Sequence, residues 1–197
     1  LRAADAALFR AKALGRSQFS MFSPDLLEVA ASKFATEQGL RRAMDRGEFE
    51  LYFQPEVSIS TLHAGLAEAL LRWRLPNGEC ATAEDFMRVA EDCGLIREIG
   101  EWVVQSAIEH AARWHRSGWP DVHIAVNVSS LQLLDGHFVD KVQRLLESND
   151  LPAACIEIEL TENVLQTGAH TIDALRQLRA IGVGIALAGR LDKLDYN

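Results

Sequence analysis

The sequence predicts an α/β fold built on a mostly parallel sheet, either an open sheet or an unfinished barrel, and three observations lead there. Short apolar runs with strand-like composition recur along the chain: FELYFQPEV, GLAEALLRW, HIAVNVS, CIEIELTE and VGIALA. Amphipathic segments of helical period lie at 83–93, 98–117, 135–148 and 168–180. Strands separated by helices of that length need crossover connections, and crossovers make parallel neighbours. The first two runs are too close together for a helix between them, so that pair is predicted to be antiparallel, or a departure at the start of a barrel.

The elements before this alternation read differently. In residues 1–14, LRAADAALFRAKAL, one side of a helix carries Leu1, Ala4, Leu8 and Ala11, with Gly15 as its terminus. A chain opening on such a segment is expected to start in mid-domain, and GRSQFSMF then reads as a strand at the edge of that domain. Ser23 and Pro24 open a second helix running to about Arg46. Pro24 suits the first helical turn, where its missing amide proton is not needed. This helix is expected to act as a rigid joint between two modules, with the strand and helix alternation following from Glu48.

Composition narrows the class. At 197 residues and 48% hydrophobic the chain can bury one substantial core. No run reaches the roughly 18 apolar residues that span a bilayer, so the chain is read as soluble, with no membrane segment of its own. A formal charge of −8 argues against broad nucleic-acid affinity, DNA included, while leaving room for a small nucleotide held through a metal. Cys80, Cys93 and Cys155 are odd in number and lack metal-ligand spacing, which is simplest as reduced thiols in a cytoplasmic protein. The opening segment is charged and amphipathic, unlike a secretion signal.

Three polar residues sit in or at the ends of apolar runs: Glu68 in LAEALLRW, Asn127 in HIAVNVSS and Glu159 in CIEIELTEN. An unpaired carboxylate or amide out of water costs several kcal/mol, on the order of 2–7 for a neutral group and more for a charge. Either each is satisfied by its local backbone and salt bridges, or the three together supply oxygens to a hard divalent cation such as magnesium or manganese. The ends of parallel strands are where such folds place chemistry. In CIEIELTE a period of two sets Ile156, Ile158 and Leu160 on one face and Glu157, Glu159 and Thr161 on the other. A row of acids on a covered strand is costly without a cation.

Neighbouring residues allow two readings each. Glu162 either supports the site from behind its direct ligands or caps the following helix. Arg72, four residues after Glu68, either clamps a phosphate through its fork of donors or pairs with a surface acid such as Glu79. Gln54, before Pro55, either offers its amide to a base edge or satisfies the chain ahead of the proline.

The tracts EALLRW at 68–73, VNVS at 126–129 and ELTEN at 159–163 resemble the successive signatures of the EAL domain, the cyclic di-GMP phosphodiesterase family. YFQP at 52–55, AEDCGLI at 90–96 and LRAIGVGIAL at 178–187 agree with it, and the resemblance covers about residues 37–187. The opening DAALFRAKALGRSQFSMFSP is similar to the end of the GGDEF, or diguanylate cyclase, domain that often precedes EAL. These likenesses imply a GGDEF remnant over 1–23, a linker helix over 24–46, the N-terminal part of an EAL domain over 47–187 and a non-family tail over 188–197.

The resemblance implies a TIM-type (β/α) barrel with an antiparallel first strand, about five of its eight strands being read in this chain. It implies metal-dependent hydrolysis of cyclic di-GMP to linear pGpG with magnesium or manganese. Glu68, Asn127 and Glu159 become the catalytic metal ligands, and Gln54 and Arg72 the substrate contacts, Arg72 on a phosphate.

Departures temper that expectation. After GVGIAL the family continues with an aspartate pair in DDFGTG, where this chain reads AGRLDKLDYN. Asp192 and Asp195 are out of register, and Lys193 does not replace the family's later lysine. Little turnover is therefore expected from these 197 residues, with a nonhydrolytic cyclic di-GMP-binding or protein-interaction module as the alternative. A sheet opened after five strands would expose an edge and an apolar wall, which a homodimer or another partner is expected to cover. Ala83 stands where a proline often starts the helix, a modest loss of preorganisation. Arg88 either lies on the helix surface or reaches toward a guanine.

Overall fold

The computed structural model describes residues 24–57, 64–161 and 168–188. The expectations for residues 1–23, for Glu162 and for the tail beyond Ala188 lie outside the described residues.

Helix α1 (Pro24–Arg46) leads into strands β1 (Phe49–Val57) and β2 (Ala64–Arg74), followed by a short β3 (Cys80–Thr82). Helices α2 (Ala83–Asp92) and α3 (Ile96–Arg116) then cross to β4 (His123–Asn127). Helices α4 (Ser130–Leu133) and α5 (Phe138–Ser148), with a 3-10 turn at Ala153–Cys155, lead to β5 (Ile156–Thr161), and α6 (Ala169–Ala180) leads to β6 (Gly184–Ala188). The strands form one six-stranded sheet in the order β1-β2-β4-β5-β6, with β3 paired to β2. β1 and β2 are antiparallel, from Phe49 opposite Trp73 to Gln54 opposite Glu68 and beyond. The β2–β4, β4–β5 and β5–β6 pairs are parallel. Among the described residues the sheet is open: β1 pairs only with β2 and β6 only with β5. This is the arrangement of a TIM-type barrel with an antiparallel first strand pair, left unclosed.

Two elements add to the sequence reading. β3 is too short to display a period of two, although Pro76-Asn77-Gly78 before it is a turn signal; Gly78 has φ 87 and the Asn77 side chain bonds Glu79. The single turn of α4 begins at Ser129, whose side chain faces Gln132 in a capping box legible as S-x-x-Q.

The period of two sorts each strand. In β2, Ala67, Ala69, Leu71 and Trp73 are buried, while Glu68, Leu70 and Arg72 on the opposite face are half-buried. Ile124 and Val126 in β4 and Ile156, Ile158 and Leu160 in β5 continue the buried face. Helix α3 covers it with Ile99, Val103, Ala107, Ile108 and Ala111, all in the same apolar cluster. Burial on this scale, at roughly 1.5–3 kcal/mol per large apolar side chain, is the main source of the fold's stability. The other face carries the polar residues.

Where β1 begins and β2 ends, the sheet is closed by aromatics. The Phe49 ring lies 6.0 Å from Phe86 and 5.8 Å from Trp102, and Trp73 meets Phe86 edge-on at 5.7 Å. Trp73 Nε1 donates to Glu48 Oε2 at 3.2 Å. Leu40 and Ala43 of α1 are fully buried, and Gly39 lets the helix touch Trp73, since a Cβ there would stand 2.5 Å from the indole. The second half of α1 is therefore packed into the sheet's core, while Val29 and Phe34 remain exposed on the first half.

At Ala83 the absent proline is offset locally. The Thr82 backbone N–H donates to Asp85 Oδ2 at 2.7 Å and its hydroxyl to the same oxygen at 2.9 Å. These bonds hold the Asp85 carboxyl below the usual carboxylate range. Arg88 is exposed and lines the groove between α1 and α2, so the surface reading of that residue holds. No helix among the described residues is long and apolar enough to cross a membrane. Cys80, Cys93 and Cys155 are free thiols, respectively exposed, half-buried and buried.

Candidate functional site

The sheet places Glu68, Asn127 and Glu159 on neighbouring strands β2, β4 and β5. Asn127 and Glu159 are partners in the β4–β5 register, and Glu68 is level with Ala125 of β4. Asn127 Nδ2 donates to Glu68 Oε1 at 2.7 Å. Behind them the Val128 N–H donates to the Glu159 carbonyl at 3.0 Å, which ties the turn after β4 to β5. With its Nδ2 engaged by Glu68, the Asn127 amide keeps its carbonyl oxygen as an acceptor for something else.

The electrostatics at Glu159 are unusual. Burial, then the charges of Glu68, Glu56 and Glu157, push its carboxyl up to about 7. Among the described residues neither Glu68 nor Glu159 forms an ion pair with a Lys, Arg or His. A nearby cation would reverse this shift, because it favours the charged carboxylate. Glu157, one register step below, packs its side chain over Gly184 of β6, where a Cβ would stand 3.2 Å from its Oε2.

The donor set fits a hard cation in kind but falls short of a full shell. Two carboxylates and an amide oxygen are the ligands that magnesium or manganese takes, and such ions keep several waters. No group of three or more His, Cys, Asp or Glu side chains gathers closely enough to hold a metal among the described residues.

Arg72 on β2 and Gln54 on β1 flank these residues. Glu79 accepts from Asn77 and forms no ion pair with Arg72 among the described residues. Instead Arg72 donates to the Leu71 carbonyl at 2.9 Å and lies over the Tyr52 ring, 5.6 Å from its centroid. Gln54 sits directly across from Glu68 and is exposed, and β1 continues past Pro55 to Val57, so the chain does not end there. A cavity of about 470 Å³ opens at these strand ends, lined by Leu70, Arg72, Met87, Asn127, Ser129 and Glu159 among others. A larger groove of about 630 Å³ beside His115, Glu147 and Asp150 lies between helices and touches none of these residues.

Sequence reasoning missed Tyr52, Glu56 and Gln132. Tyr52 and Glu56 share the Gln54 face by a period of two, a signal that was present. Gln132 is buried at 3% exposure against Gly100 of α3, where any side chain would collide with its amide.

A (β/α) sheet with carboxylates and an amide converging at its strand ends defines a TIM-barrel-type module with an acidic site. The chain belongs to the EAL domain family, which matches residues 37–190. It is 35% identical over 185 residues to the bifunctional diguanylate cyclase/cyclic di-GMP phosphodiesterase MucR of Pseudomonas aeruginosa, covering 93% of this chain and 27% of that protein. It is 32% identical over 188 residues to the cyclic di-GMP phosphodiesterase NbdA of the same organism, covering 95% of this chain and 24% of NbdA. The solved structure of PaMucR phosphodiesterase in a c-di-GMP complex superposes with a TM-score of 0.74 at 36% identity, covering 78% of this chain and 62% of that one. The chain thus spans about a quarter of the length of these two curated relatives.

Proposed function

We propose that the chain is a cyclic di-GMP phosphodiesterase module that binds its substrate at the carboxyl ends of β2, β4 and β5 and belongs to metal-dependent hydrolysis to linear pGpG. The observation that carries this reading is the Asn127–Glu68 hydrogen bond beside a Glu159 carboxyl raised to about 7, three oxygen-bearing side chains on neighbouring strands with no ion-pair partner for either carboxylate among the described residues. Glu68, Asn127 and Glu159 would hold magnesium or manganese, and Gln54 and Arg72 would contact the substrate. When bound, the divalent ion supplies Lewis acidity toward a phosphate oxygen and lowers the pKa of a water. Asn127 fixes the Glu68 carboxylate, and the Arg72 guanidinium meets phosphate charge. The names of MucR and NbdA and the c-di-GMP complex of PaMucR support this substrate. Assay of the purified chain with cyclic di-GMP and magnesium tests it: Glu68→Ala is expected to abolish both cation-dependent binding and any pGpG formation.

A second reading, a nonhydrolytic cyclic di-GMP-binding or protein-interaction module, is favoured by one observation. AGRL, from Ala188, stands where the family's aspartate pair is expected. We accordingly expect little turnover from the 197 residues alone. Conversion to pGpG that Glu68→Ala abolishes would remove the second reading.

The domain assignment is part of the same proposal: a GGDEF remnant over 1–23, a linker over 24–46, the EAL part over 47–187 and a non-family tail over 188–197. The β6 edge, with Leu187 51% exposed, supports a second copy or another partner covering it. Sedimentation showing a folded monomer at low concentration would contradict that. A cytoplasmic location remains part of this reading, motivated by the free thiols.

A further inference from the structure

We propose that Tyr52 and the Arg74–Glu50 ion pair are positioning residues for Arg72, keeping its guanidinium unpaired and aimed into the strand-end cavity to take a phosphate of the ligand. The inference rests on the phosphodiesterase or receptor reading of the site and concerns how its cation is presented.

Three observations on the β1–β2 hairpin carry it. Glu50 is the direct register partner of Arg72 and the acid best placed to neutralise it. It does not do so: Glu50 is bonded by Arg74, one pleat further along the same face. Directly opposed opposite charges on an antiparallel pair ordinarily attract, so the diversion of Glu50 to Arg74 is what leaves Arg72 without an ion pair among the described residues. Second, Tyr52 lies one pleat along from Glu50, opposite Leu70, and its ring supports the Arg72 guanidinium at 5.6 Å. Third, the Leu71 carbonyl takes one Nη1 proton at 2.9 Å.

A guanidinium carries five N–H donors in a plane. Held on its face by an aromatic ring and on one side by a carbonyl, it keeps its remaining in-plane donors for a planar or tetrahedral anion. Tyr52 is 51% exposed and Arg72 lines the cavity with Asn127 and Glu159, so the free donors are within reach of a ligand bound there. An Arg held in this way loses less rotamer freedom on binding than a free one.

The test is calorimetric titration of cyclic di-GMP, with magnesium, into the full 197-residue chain and its variants, with circular dichroism to confirm folding. Wild-type binding establishes the underlying reading, and its absence overturns that reading and this proposal together. Given wild-type binding, Arg72→Ala is expected to weaken affinity at least about tenfold, as loss of charge-assisted bonds does. Tyr52→Leu is expected to weaken it roughly two- to fivefold, the size of a partly exposed cation–π contact, and Tyr52→Phe to restore it. In an Arg72→Ala background Tyr52→Leu should cost nothing more. Arg74→Ala should weaken binding by releasing Glu50 onto Arg72, and Glu50→Gln in the same chain should recover it. Unchanged affinity in Tyr52→Leu or Arg74→Ala, or an equal Tyr52→Leu loss without Arg72, overturns the proposal while leaving the site itself standing.

Discussion

Asn127 at the end of β4 and Glu68 in β2 are joined by a 2.7 Å hydrogen bond in which the amide donates to the carboxylate. The bond aligns an acid and an amide from two strands, and the β4–β5 register sets Glu159 beside them. Asn127 is exposed, so its replacement should leave the core intact. Asn127→Ala is expected to lower the cation-dependent affinity for cyclic di-GMP by about tenfold or more, the scale on which residues that orient ligands act. Thermal melts of this variant should stay close to wild type, and calorimetry checks the affinity.

Glu159 links the site to pH. Its carboxyl is raised to about 7 in the folded protein, above the unfolded value of 4.5, so the folded state binds the extra proton between those values. Stability without divalent cation should therefore fall as pH rises from about 4.5 to about 7 and level off above. Glu159→Gln removes the charge and should raise Tm relative to wild type on the alkaline side of this range. The difference should shrink toward its acid limit, and melts across the pH range with a chelator present measure it.

Gly39 is a packing requirement. A Cβ would stand 2.5 Å from the Trp73 ring, which is itself wedged against Phe49 and Phe86. Gly39→Ala is expected to destabilise the fold by about 1–3 kcal/mol, as overpacking does, despite the better helix propensity of alanine. Urea denaturation gives the figure, and Trp73→Phe in the same chain should relieve part of it by removing the larger ring.

Thr82 and Asp85 do for α2 what a first-turn proline does elsewhere. Removing the shared acceptor in Asp85→Ala should lower stability, because the Thr82 N–H and hydroxyl lose their partner. The same urea experiment detects it as a lower midpoint with an unchanged slope.

Much of this arrangement was legible in the residue pattern because it depends on short periods. CIEIELTE alternates so regularly that its buried and acidic faces follow directly, and the close spacing of FELYFQPEV and GLAEALLRW foretold their antiparallel pairing. Asn127 and Glu159 could be nominated because each is polar in an apolar run. Other features depend on register or on distant partners, which no local pattern contains. Arg72 meets Tyr52 rather than Glu79 only because of where β1 lies on β2. Gly39 matters because of Trp73, on a strand beyond the helix that holds it. The mixed polar composition of the second half of α1 likewise hides its buried stripe at Leu40 and Ala43.

Titration of cyclic di-GMP into the purified chain, with and without magnesium or manganese, and into Glu68→Ala, tests the proposed site most directly. The account predicts binding that strengthens with the cation in wild type and loses that dependence in the variant. No binding by the folded wild-type chain, or cation-dependent binding that survives loss of Glu68, would contradict it.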